Sequence, residues 1–416
     1  MLDIRFIREN TDLVAEKSKQ KGYEVDIKRL IELDEHRRQI MSDIEMVRAE
    51  RNKLAEEAKG QKPSEEQVSH GKHLKDHLTE CEARLKPIEE EYQKILAEVP
   101  NITPDDTPLG GEDASREEKK WGDTADKGFE VKSHEDWAEA AGYLDFARGA
   151  KVAGNKFYYL KGPLVELQMA VFGYGMEIIK KHGFMPMMVP HMVNTRTLEG
   201  AGFSAKGAEK QIYKIEDEDL NLIATAEIPL TGYHADEILP EAELPKLYGG
   251  LSPAYRVEAG AYGKHSAGLY RVHQFDKLEL YVYCKPEESE DQHQKLLAIE
   301  EEVCQGLGIP YRVVRIAAGD LGAPAYKKYD IEYWSAADKN YHELMSGSNV
   351  TDYQARRLNI RYKTTEGETK YLHTLNATAA AGSRMLIAII ENNQDKDGKV
   401  QIPEALRPYM HGETTL

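Results

Sequence analysis

The sequence predicts an α+β protein, in which an antiparallel β-sheet flanked by helices forms the larger part and an antiparallel helical hairpin precedes it. Two stretches between residues 27 and 99 carry apolar residues at heptad spacing, the pattern of paired helices. From about residue 121 onward, short strand-like runs such as "KFYYL" and "YRVVRI" are mixed with helical runs. The regular β-α-β order and the glycine-rich signatures of parallel nucleotide-binding folds are missing from the sequence, which favours antiparallel pairing.

The N-terminal hairpin follows from the spacing of its apolar residues. These residues alternate at intervals of three and four over 30–58 and again over 74–99. Gly60 and Pro63 lie between the two runs and interrupt helical structure, so we expect the two helices to fold back on each other. At about 1.5 Å per residue, each helix would reach roughly 45 Å. A coiled coil that dimerises is the simple alternative for such a pattern.

The turn of this hairpin is basic although the whole chain is acidic. The 416 residues contain 55 Lys and Arg against 72 Asp and Glu, a net charge of −17, which argues against nonspecific adhesion to nucleic acid or anionic membranes. Basic residues gathered near the turn therefore favour a specific contact with a polyanion. The candidates for that contact are Arg48, Arg51, Lys53, Lys59 and Lys62.

A segment rich in Pro, Gly and charge, "VPNITPDDTPLGGEDASREEKKWG", separates the hairpin from the rest of the chain. We therefore expect an N-terminal domain at 1–105 with its helical arm at about 27–99, a linker at 106–120 and a larger domain at 121–416. The three cysteines lack the spacing of a disulfide framework or zinc site, and the sequence shows neither a signal segment nor a membrane span. A soluble protein of a reducing cytoplasm is the simplest expectation.

The stretch "YRVEAGAYGKHSAGLYRVHQFDKLE" at 255–279 is the first candidate site. Strand alternation puts Phe275, Lys277 and Glu279 on one face, and the same logic aligns Arg256 with Glu258 while hiding the residue between them. An aromatic ring flanked by charges can stack a planar ligand while its neighbours hold polar groups. A half-buried strand with a cross-strand ion pair is the alternative for either strand alone.

Three further groups carry ligand chemistry. Arg384 lies in the first turn of a predicted helix opened by "GS", where the helix dipole disfavours a cation unless an anion such as phosphate shares the site. Glu343 and Ser346 offer the oxygen ligands that suit Mg²⁺. Thr225 and Glu227 could receive an ammonium group. Each group also has a plain structural alternative, namely a helix-end ion pair, a chance pairing or the end of a strand.

The order of "TAEIPL", "YRVEAG", "RVHQFDKLE", "SGSNVTDYQARR", "HTLNATAAAGSR" and "IPEALRPYM" closely resembles the seryl-tRNA synthetases, a family of class II aminoacyl-tRNA synthetases, over essentially the whole chain. The resemblance implies a serine–tRNA ligase that activates L-serine with ATP and Mg²⁺ to seryl-adenylate. The seryl group would then pass to the 3′ end of tRNA(Ser), and many relatives also charge tRNA(Sec). It also implies a class II catalytic domain and a homodimer joined through the helix and strand that end at Pro190.

The resemblance further implies a role for individual residues. Arg256 would hold the α-phosphate of ATP and Arg384 the γ-phosphate, and these two are the implied catalytic residues. The implied ATP-binding residues are Arg256, Val257, Glu258, Phe275, Glu343, Leu344, Met345, Ser346 and Arg384, among which Glu343 and Ser346 would also hold the metal ion. The implied serine-binding residues are Thr225, Ala226, Glu227, Glu279, Asn376 and Thr378. The basic hairpin corresponds to the arm with which the family binds tRNA.

Two segments depart from the usual family pattern. The loop at 263–268 has the sequence "GKHSAG", whereas the family commonly has G-R-D-T-R-G, and "NATA" at 376–379 replaces the usual N-G-S-G. Ser383 also stands where a glycine usually precedes the arginine of this motif. These changes motivate an alternative hypothesis, a synthetase-like paralogue that does not charge tRNA and instead regulates or activates serine for another acceptor.

Overall fold

The computed structural model describes residues 1–60, 62–203, 211–258 and 268–416, which include two compact units, Met1–Ile102 and Thr103–Leu416. The helices of the first unit are α1 (Ile4–Glu9), α2 (Thr11–Gln20), α3 (Ile27–Glu57) and α4 (Glu65–Glu98). Ion pairs join Arg29 to Glu91 and Arg48 to Glu82, so the paired positions run in opposite directions along α3 and α4. The predicted antiparallel hairpin is therefore confirmed.

The heptad residues of α3 and α4 form the core of the first unit. Leu30 and Leu33 pack with Tyr92 and neighbouring residues, and a second cluster toward the turn contains Ile40, Ile44 and Cys81. Both helices begin at the side-chain caps that such sequences favour. The carboxylate of Asp26 accepts from the backbone N–H of Arg29, and Ser64 forms a reciprocal capping box with Gln67.

The second unit is a mixture of helices and strands. Its helices are α5 (His134–Ala140), α6 (Phe146–Ala153), α7 (Pro163–Lys181), α8 (Thr195–Gly200), α9 (Glu227–Gly232), α10 (Ser289–Gly306), α11 (Tyr353–Leu358) and α12 (Gly382–Asn392). Its strands are β1 (Arg116–Trp121), β2 (Leu144–Asp145), β3 (Tyr159–Leu160), β4 (Met185–Met188), β5 (Met192–Val193), β6 (Asn221–Leu222), β7 (Ile238–Pro240), β8 (Lys246–Tyr255), β9 (Gln274–Cys284), β10 (Tyr311–Arg315), β11 (Lys327–Ser335), β12 (Asn340–Thr351), β13 (Arg361–Lys363), β14 (Thr369–Tyr371) and β15 (His373–Ala381).

An eight-stranded sheet in the order β1-β10-β11-β12-β15-β9-β8-β4 organises this unit. Every neighbouring pair in it is antiparallel except β4 with β8, which confirms the predicted α+β class with an antiparallel sheet. The edge strand β1 begins within the segment 106–120 that the sequence pattern assigned to a linker, and it ends at Trp121. All six of its side chains are exposed, so it lacks the apolar alternation by which a strand is recognised.

The two faces of β9 pack against different hydrophobic clusters, and the candidate site residues of this strand lie on only one of these faces. Leu280 and Val282 belong to the main core, together with apolar residues of α7, α10 and α12, whereas Tyr281 and Tyr283 belong to a second cluster with residues of α8, α9 and α11. Because side chains alternate along a strand, Lys277 and Glu279 share the tyrosine face. No described helix is both long enough and apolar enough to cross a membrane.

Candidate functional site

A pocket over β9, β12, β15 and the start of α12 contains most of the candidate nucleotide-binding residues. Two of them, Arg256 and Glu258, reach it from the segment that follows β8. The pocket is lined by Arg256, Glu258, Tyr270, Val272, Phe275, Lys277, Glu343, Leu344, Met345, Ser346, Thr378, Ala381, Ser383 and Arg384. Val257 is half-buried beside it.

Arg256 and Glu258 were predicted to lie on a strand, and that prediction is wrong in detail because β8 ends at Tyr255. Beyond that residue the chain leaves the sheet: the backbone N–H of Val257 donates to the carbonyl of Gln211, and Glu258 has a φ of 49°. This turn still brings both side chains to the pocket. The guanidinium of Arg256 lies 5.2 Å from the ring centroid of Phe275.

Glu258 is held in place by two contacts. Its backbone N–H donates to the side-chain oxygen of Gln211 over 3.1 Å, and its carboxylate lies 3.0 Å from Nε of Arg271. The carboxylate of Glu258 is only 10% exposed, and the ion pair with Arg271 offsets the cost of burying its charge beside the pocket. Arg271 was not predicted as the partner of Glu258, because the sequence does not give the register between residues that lie this far apart along the chain.

Arg384 lies where the sequence predicted it, in the first turn of α12, and it joins two parts of the pocket. Its Nη1 lies 2.9 Å from Oε1 of Glu343, and its guanidinium lies 4.6 Å from the ring centroid of Tyr270. Burial alone would raise the pKa of Glu343, but the charges of Arg384 and Lys328 outweigh it and lower this pKa to about 2. Glu343 therefore stays ionised, and its side chain is 40% exposed.

A β-bulge puts Glu343 and Ser346 on one face of β12. On the partner strand, Glu332 pairs with Glu343 and Ile331 with Met345, so Leu344 is the extra residue. One inserted residue shifts the alternation, so side chains three positions apart face the same way. Asp330 lies opposite Ser346 on β11 and shares that face.

Asp330 has a buried carboxyl group beside Glu343 and Ser346. Its Oδ2 lies 3.0 Å from Nζ of Lys328, while its Oδ1 has no hydrogen-bond partner among the described residues. Burial raises the pKa of Asp330 to about 7 in spite of Lys328, and the charge of Glu343 contributes to the increase. Neither Asp330 nor Lys328 was a predicted site residue, since only the strand register reveals that Asp330 lies opposite Ser346 and Lys328 opposite Ser348.

The candidate ammonium-binding residues form a buried network at the start of α9. The side-chain amides of Gln354 and Asn376 both donate to Oε1 of Glu227, over 2.8 and 3.0 Å, which leaves Oε2 for a ligand. Thr225 Oγ1 accepts from the backbone N–H of Glu227. Burial, reinforced by the charge of Glu279, raises the pKa of Glu227 to about 7. Gln354 was not predicted, because α11 carries it to the site from a distant part of the sequence.

Glu279 and Thr378 lie directly opposite each other on β9 and β15. The carboxylate of Glu279 lies 2.5 Å from Nζ of Lys277 on its own strand, and burial raises the pKa of Glu279 in spite of that cation. A second bulge, at residue 379, interrupts the pairing just beyond Thr378. The two residues are almost completely buried, and Ala226 is fully buried close by, across from Gly250 of β8.

The candidate polyanion-binding residues all belong to the first unit and are exposed on its hairpin. Arg48 pairs with Glu82 over 3.0 Å, and Lys59 lies 3.5 Å from Glu56. Arg51, Lys53 and Lys62 are also solvent-exposed. Most of the "GKHSAG" loop, including Lys264 and His265, lies outside the described residues.

Comparison with known proteins identifies the family of both units. Residues 1–103 match the family described as the seryl-tRNA synthetase N-terminal domain, and residues 213–393 match the class II tRNA synthetase core domain of the G, H, P, S and T enzymes. The serine–tRNA ligase of Rubrobacter xylanophilus is 43% identical over 99% of this chain and 98% of the relative. That of Treponema denticola is 44% identical over 98% of each.

Two solved structures have the same fold along the full chain. The crystal structure of seryl-tRNA synthetase from Pyrococcus horikoshii complexed with ATP has a TM-score of 0.92 at 41% identity, covering 100% of this chain and 99% of that one. The cytoplasmic serine–tRNA ligase of Naegleria fowleri in complex with AMP has a TM-score of 0.87 at 32% identity, covering 100% and 98%.

Proposed function

Because the chain belongs to the seryl-tRNA synthetase family, we propose that the pocket described above binds ATP and L-serine side by side and joins them as seryl-adenylate. The enzyme is an ATP-dependent serine–tRNA ligase with a class II catalytic fold. The observation that best supports the division of the pocket is its charge. Arg256 and Arg384 line the part that would hold phosphates. The buried carboxylate of Glu279 lies behind the lining residues Lys277 and Thr378, and that of Glu227 accepts from Asn376, two residues before Thr378, where the amino acid would bind.

At the serine end, Glu227 receives the ammonium group. Its Oε1 is already occupied by the amides of Gln354 and Asn376, so Oε2 is directed to the ligand. The carboxylate of Glu279 accepts a hydrogen bond from the side-chain hydroxyl of serine, and Thr378 donates one to the oxygen of that hydroxyl. A site built around a buried hydroxyl contact rejects an analogue without the hydroxyl by about 10⁴-fold, which accounts for selection against alanine.

At the ATP end, Phe275 stacks on the adenine ring and Glu258 accepts a hydrogen bond from its amino group. Arg256 holds the α-phosphate from its position above Phe275, and Arg384 holds the γ-phosphate. Burial lowers the pKa of Arg256, and repulsion by the like charge of Arg384 lowers it further. A polyphosphate would relieve that repulsion.

The side chains beside the proposed phosphate position carry oxygen atoms that suit a divalent cation. Glu343 and Ser346 present a carboxylate and a hydroxyl on one face of β12. Next to Ser346, Asp330 adds a buried oxygen that has no hydrogen-bond partner in the described part of the chain. Oxygen donors of this kind suit Mg²⁺. When bound, Mg²⁺ supplies Lewis-acid stabilisation of the phosphate charge. Glu343 and Ser346 would hold it directly, and Glu343 is ready to do so because its pKa is low.

The reaction itself then requires no protein nucleophile. The carboxylate of serine attacks the α-phosphorus of ATP. The bond between that phosphorus and the oxygen bridging the α- and β-phosphates breaks, and pyrophosphate leaves. Negative charge that develops on the α-phosphate is stabilised by Arg256, and the departing phosphates by Arg384. In the second step a hydroxyl at the 3′ end of tRNA attacks the seryl carbonyl and AMP leaves. The side chains act by position and charge in both steps.

The exposed basic residues of the hairpin provide the contact with tRNA(Ser). Their positive charge lies on an otherwise acidic chain, so it favours the phosphate backbone of a specific partner. Charging of tRNA(Sec) would use the same surface. The full-length relatives support tRNA charging, and they lend no support to the alternative of a paralogue without that activity.

We also propose a homodimer that forms through β4 and α7, in the cytoplasm. β4 is an edge strand of the large sheet, and Met185 and Met188 on it are 60% and 77% exposed. Met169 on α7 and Met192 beyond Pro190 are also exposed, at 60% and 46%. Apolar side chains gathered at an unpaired sheet edge are typical of a protein interface.

Aminoacylation of tRNA(Ser) by the purified chain tests the proposed function. With serine, ATP and Mg²⁺ present, we expect acid-precipitable labelled serine to accumulate on tRNA(Ser) and not on a tRNA for another amino acid. Formation of seryl-adenylate without any transfer to tRNA(Ser) would instead support the paralogue.

A further inference from the structure

A buried histidine outside the set of proposed ligand-binding residues joins three parts of the catalytic unit. His134 is the first residue of α5, and its side chain is only 10% exposed. Nδ1 of its ring lies 2.8 Å from Oε1 of Glu391, which is near the end of α12. The backbone N–H of Leu269 lies 3.1 Å from Nε2 on the other side of the ring.

These contacts specify the protonation of the ring. The backbone N–H of Leu269 can only donate, so Nε2 of His134 must be the unprotonated acceptor. The proton is therefore on Nδ1, which donates to Glu391. The same Oε1 also accepts from the backbone N–H of His134, and Oε2 accepts from Oγ of Ser335 over 2.6 Å. Both carboxylate oxygens and both ring nitrogens thus have partners, and the ring has one orientation.

The histidine contacts a short turn that carries a residue of the ATP pocket. Gly268–Tyr270 forms one turn of 3-10 helix, in which Tyr270 follows Leu269. Gly268 has a φ of 60°, and a Cβ there would lie 2.3 Å from Nε2 of His134, so the turn and the ring are packed too closely for a side chain. This packing fixes the distance between the turn and α5.

The turn is attached to α12 at two points. Near the start of that helix, the ring of Tyr270 lies 4.6 Å below the guanidinium of Arg384. Near its end, Glu391 holds His134, which in turn holds Leu269. A displacement of the turn would therefore move Tyr270 away from Arg384 and remove a cation–π contact from a half-buried cation.

We propose that His134 is a positioning residue for ATP. Through Leu269 it keeps Tyr270 against Arg384, so that the guanidinium is oriented toward the phosphates before ATP binds. This inference rests on the proposed function, since it assigns the γ-phosphate to Arg384. Serine lies at the other end of the pocket, so its binding is independent of His134.

Three substitutions at one position separate this role from a general contribution to folding. His134→Ala removes both ring contacts. In His134→Gln the side-chain oxygen can reach the place of Nε2 and accept from Leu269, whereas the shorter His134→Asn can reach only Glu391. Because the turn then loses its hydrogen bond to α5 and Tyr270 is no longer held against Arg384, we expect the KM for ATP to rise about tenfold in His134→Ala, which corresponds to about 1.4 kcal/mol.

The measurements are the KM values for ATP and for serine in serine-dependent ATP–pyrophosphate exchange, with thermal melting as a record of folding. We expect His134→Asn to resemble His134→Ala, His134→Gln to recover a KM for ATP close to that of the unaltered chain, and the KM for serine to stay constant throughout. The proposal is overturned if His134→Ala leaves the KM for ATP unchanged, if both KM values rise together, or if Asn restores ATP binding as well as Gln does. Lack of exchange by the unaltered chain would instead refute the proposed function.

Discussion

The substitution Glu227→Gln tests the serine end of the site most sharply. Glu227 is 8% exposed, and its Oε1 accepts hydrogen bonds from Gln354 and Asn376. Glutamine keeps an oxygen for these two amides, so neither donor is left unpaired. It replaces the ligand-facing carboxylate oxygen with an amide, and the ammonium group of serine loses its buried counter-charge.

The expected size of the effect follows from that loss. Removing one partner of a buried ion pair costs about 3–5 kcal/mol, which corresponds to about 10²- to 10⁴-fold in binding. Since both neighbouring amides stay satisfied, we expect the lower end, a rise of about 10²-fold in the KM for serine. The KM for ATP should change by less than about threefold, because the phosphates are held at the other end of the pocket.

Glu300→Gln is the matched control for this experiment. Glu300 is also a fully buried glutamate, and it accepts from the backbone N–H of Thr378 over 3.3 Å. Burial and the charge of Asp330 raise the pKa of Glu300 well above its usual range, so the change to glutamine alters little charge. In ATP–pyrophosphate exchange, a KM for serine that is equal in Glu227→Gln, Glu300→Gln and the unaltered chain would refute the assignment of the ammonium to Glu227.

Four further outcomes are expected. Burial raises the pKa of Glu227 to about 7 before serine binds, and the protonated carboxyl offers no counter-charge to the ammonium group. We therefore expect kcat/KM for serine to fall as the pH drops below about 7, and a flat profile down to about pH 6 contradicts this. Glu343→Gln should raise the Mg²⁺ concentration for half-maximal exchange about tenfold, and an unchanged Mg²⁺ dependence would remove Glu343 from the metal site. Met188→Lys should shift the chain from dimer to monomer in sedimentation, whereas a persistent dimer places the interface elsewhere. Arg51→Glu combined with Lys53→Glu should abolish tRNA charging while exchange continues at its normal rate, and equal loss of both activities argues against an arm that binds only tRNA.

The parts of the fold that the sequence predicts are those with a regular period. Heptad spacing predicted α3 and α4 because each helix buries one stripe of apolar residues, such as Leu30 and Leu33. Strand alternation likewise predicted that Lys277 and Glu279 share a face of β9, and a small-residue start followed by an apolar face predicted α12 with Arg384 in its first turn.

Irregular backbone was the part that the sequence could not predict. The inserted residue Leu344 brings Glu343 and Ser346 onto one face, but a bulge leaves no periodic trace. The early end of β8 at Tyr255 depends on hydrogen bonds to a distant segment. Contacts between remote segments, such as that of Gln354 with Glu227, arise only when the chain has folded, so no local pattern reports them.

The most direct test of the account is the amino-acid specificity of ATP–pyrophosphate exchange. The purified chain would be assayed with ATP and Mg²⁺ in the presence of serine, alanine or threonine, each over a range of concentrations. The account predicts exchange that depends on serine, with kcat/KM for serine about 10⁴-fold or more above that for alanine. Exchange that is absent with serine, or equal with alanine, would contradict a pocket in which Glu227 and Glu279 hold serine beside ATP.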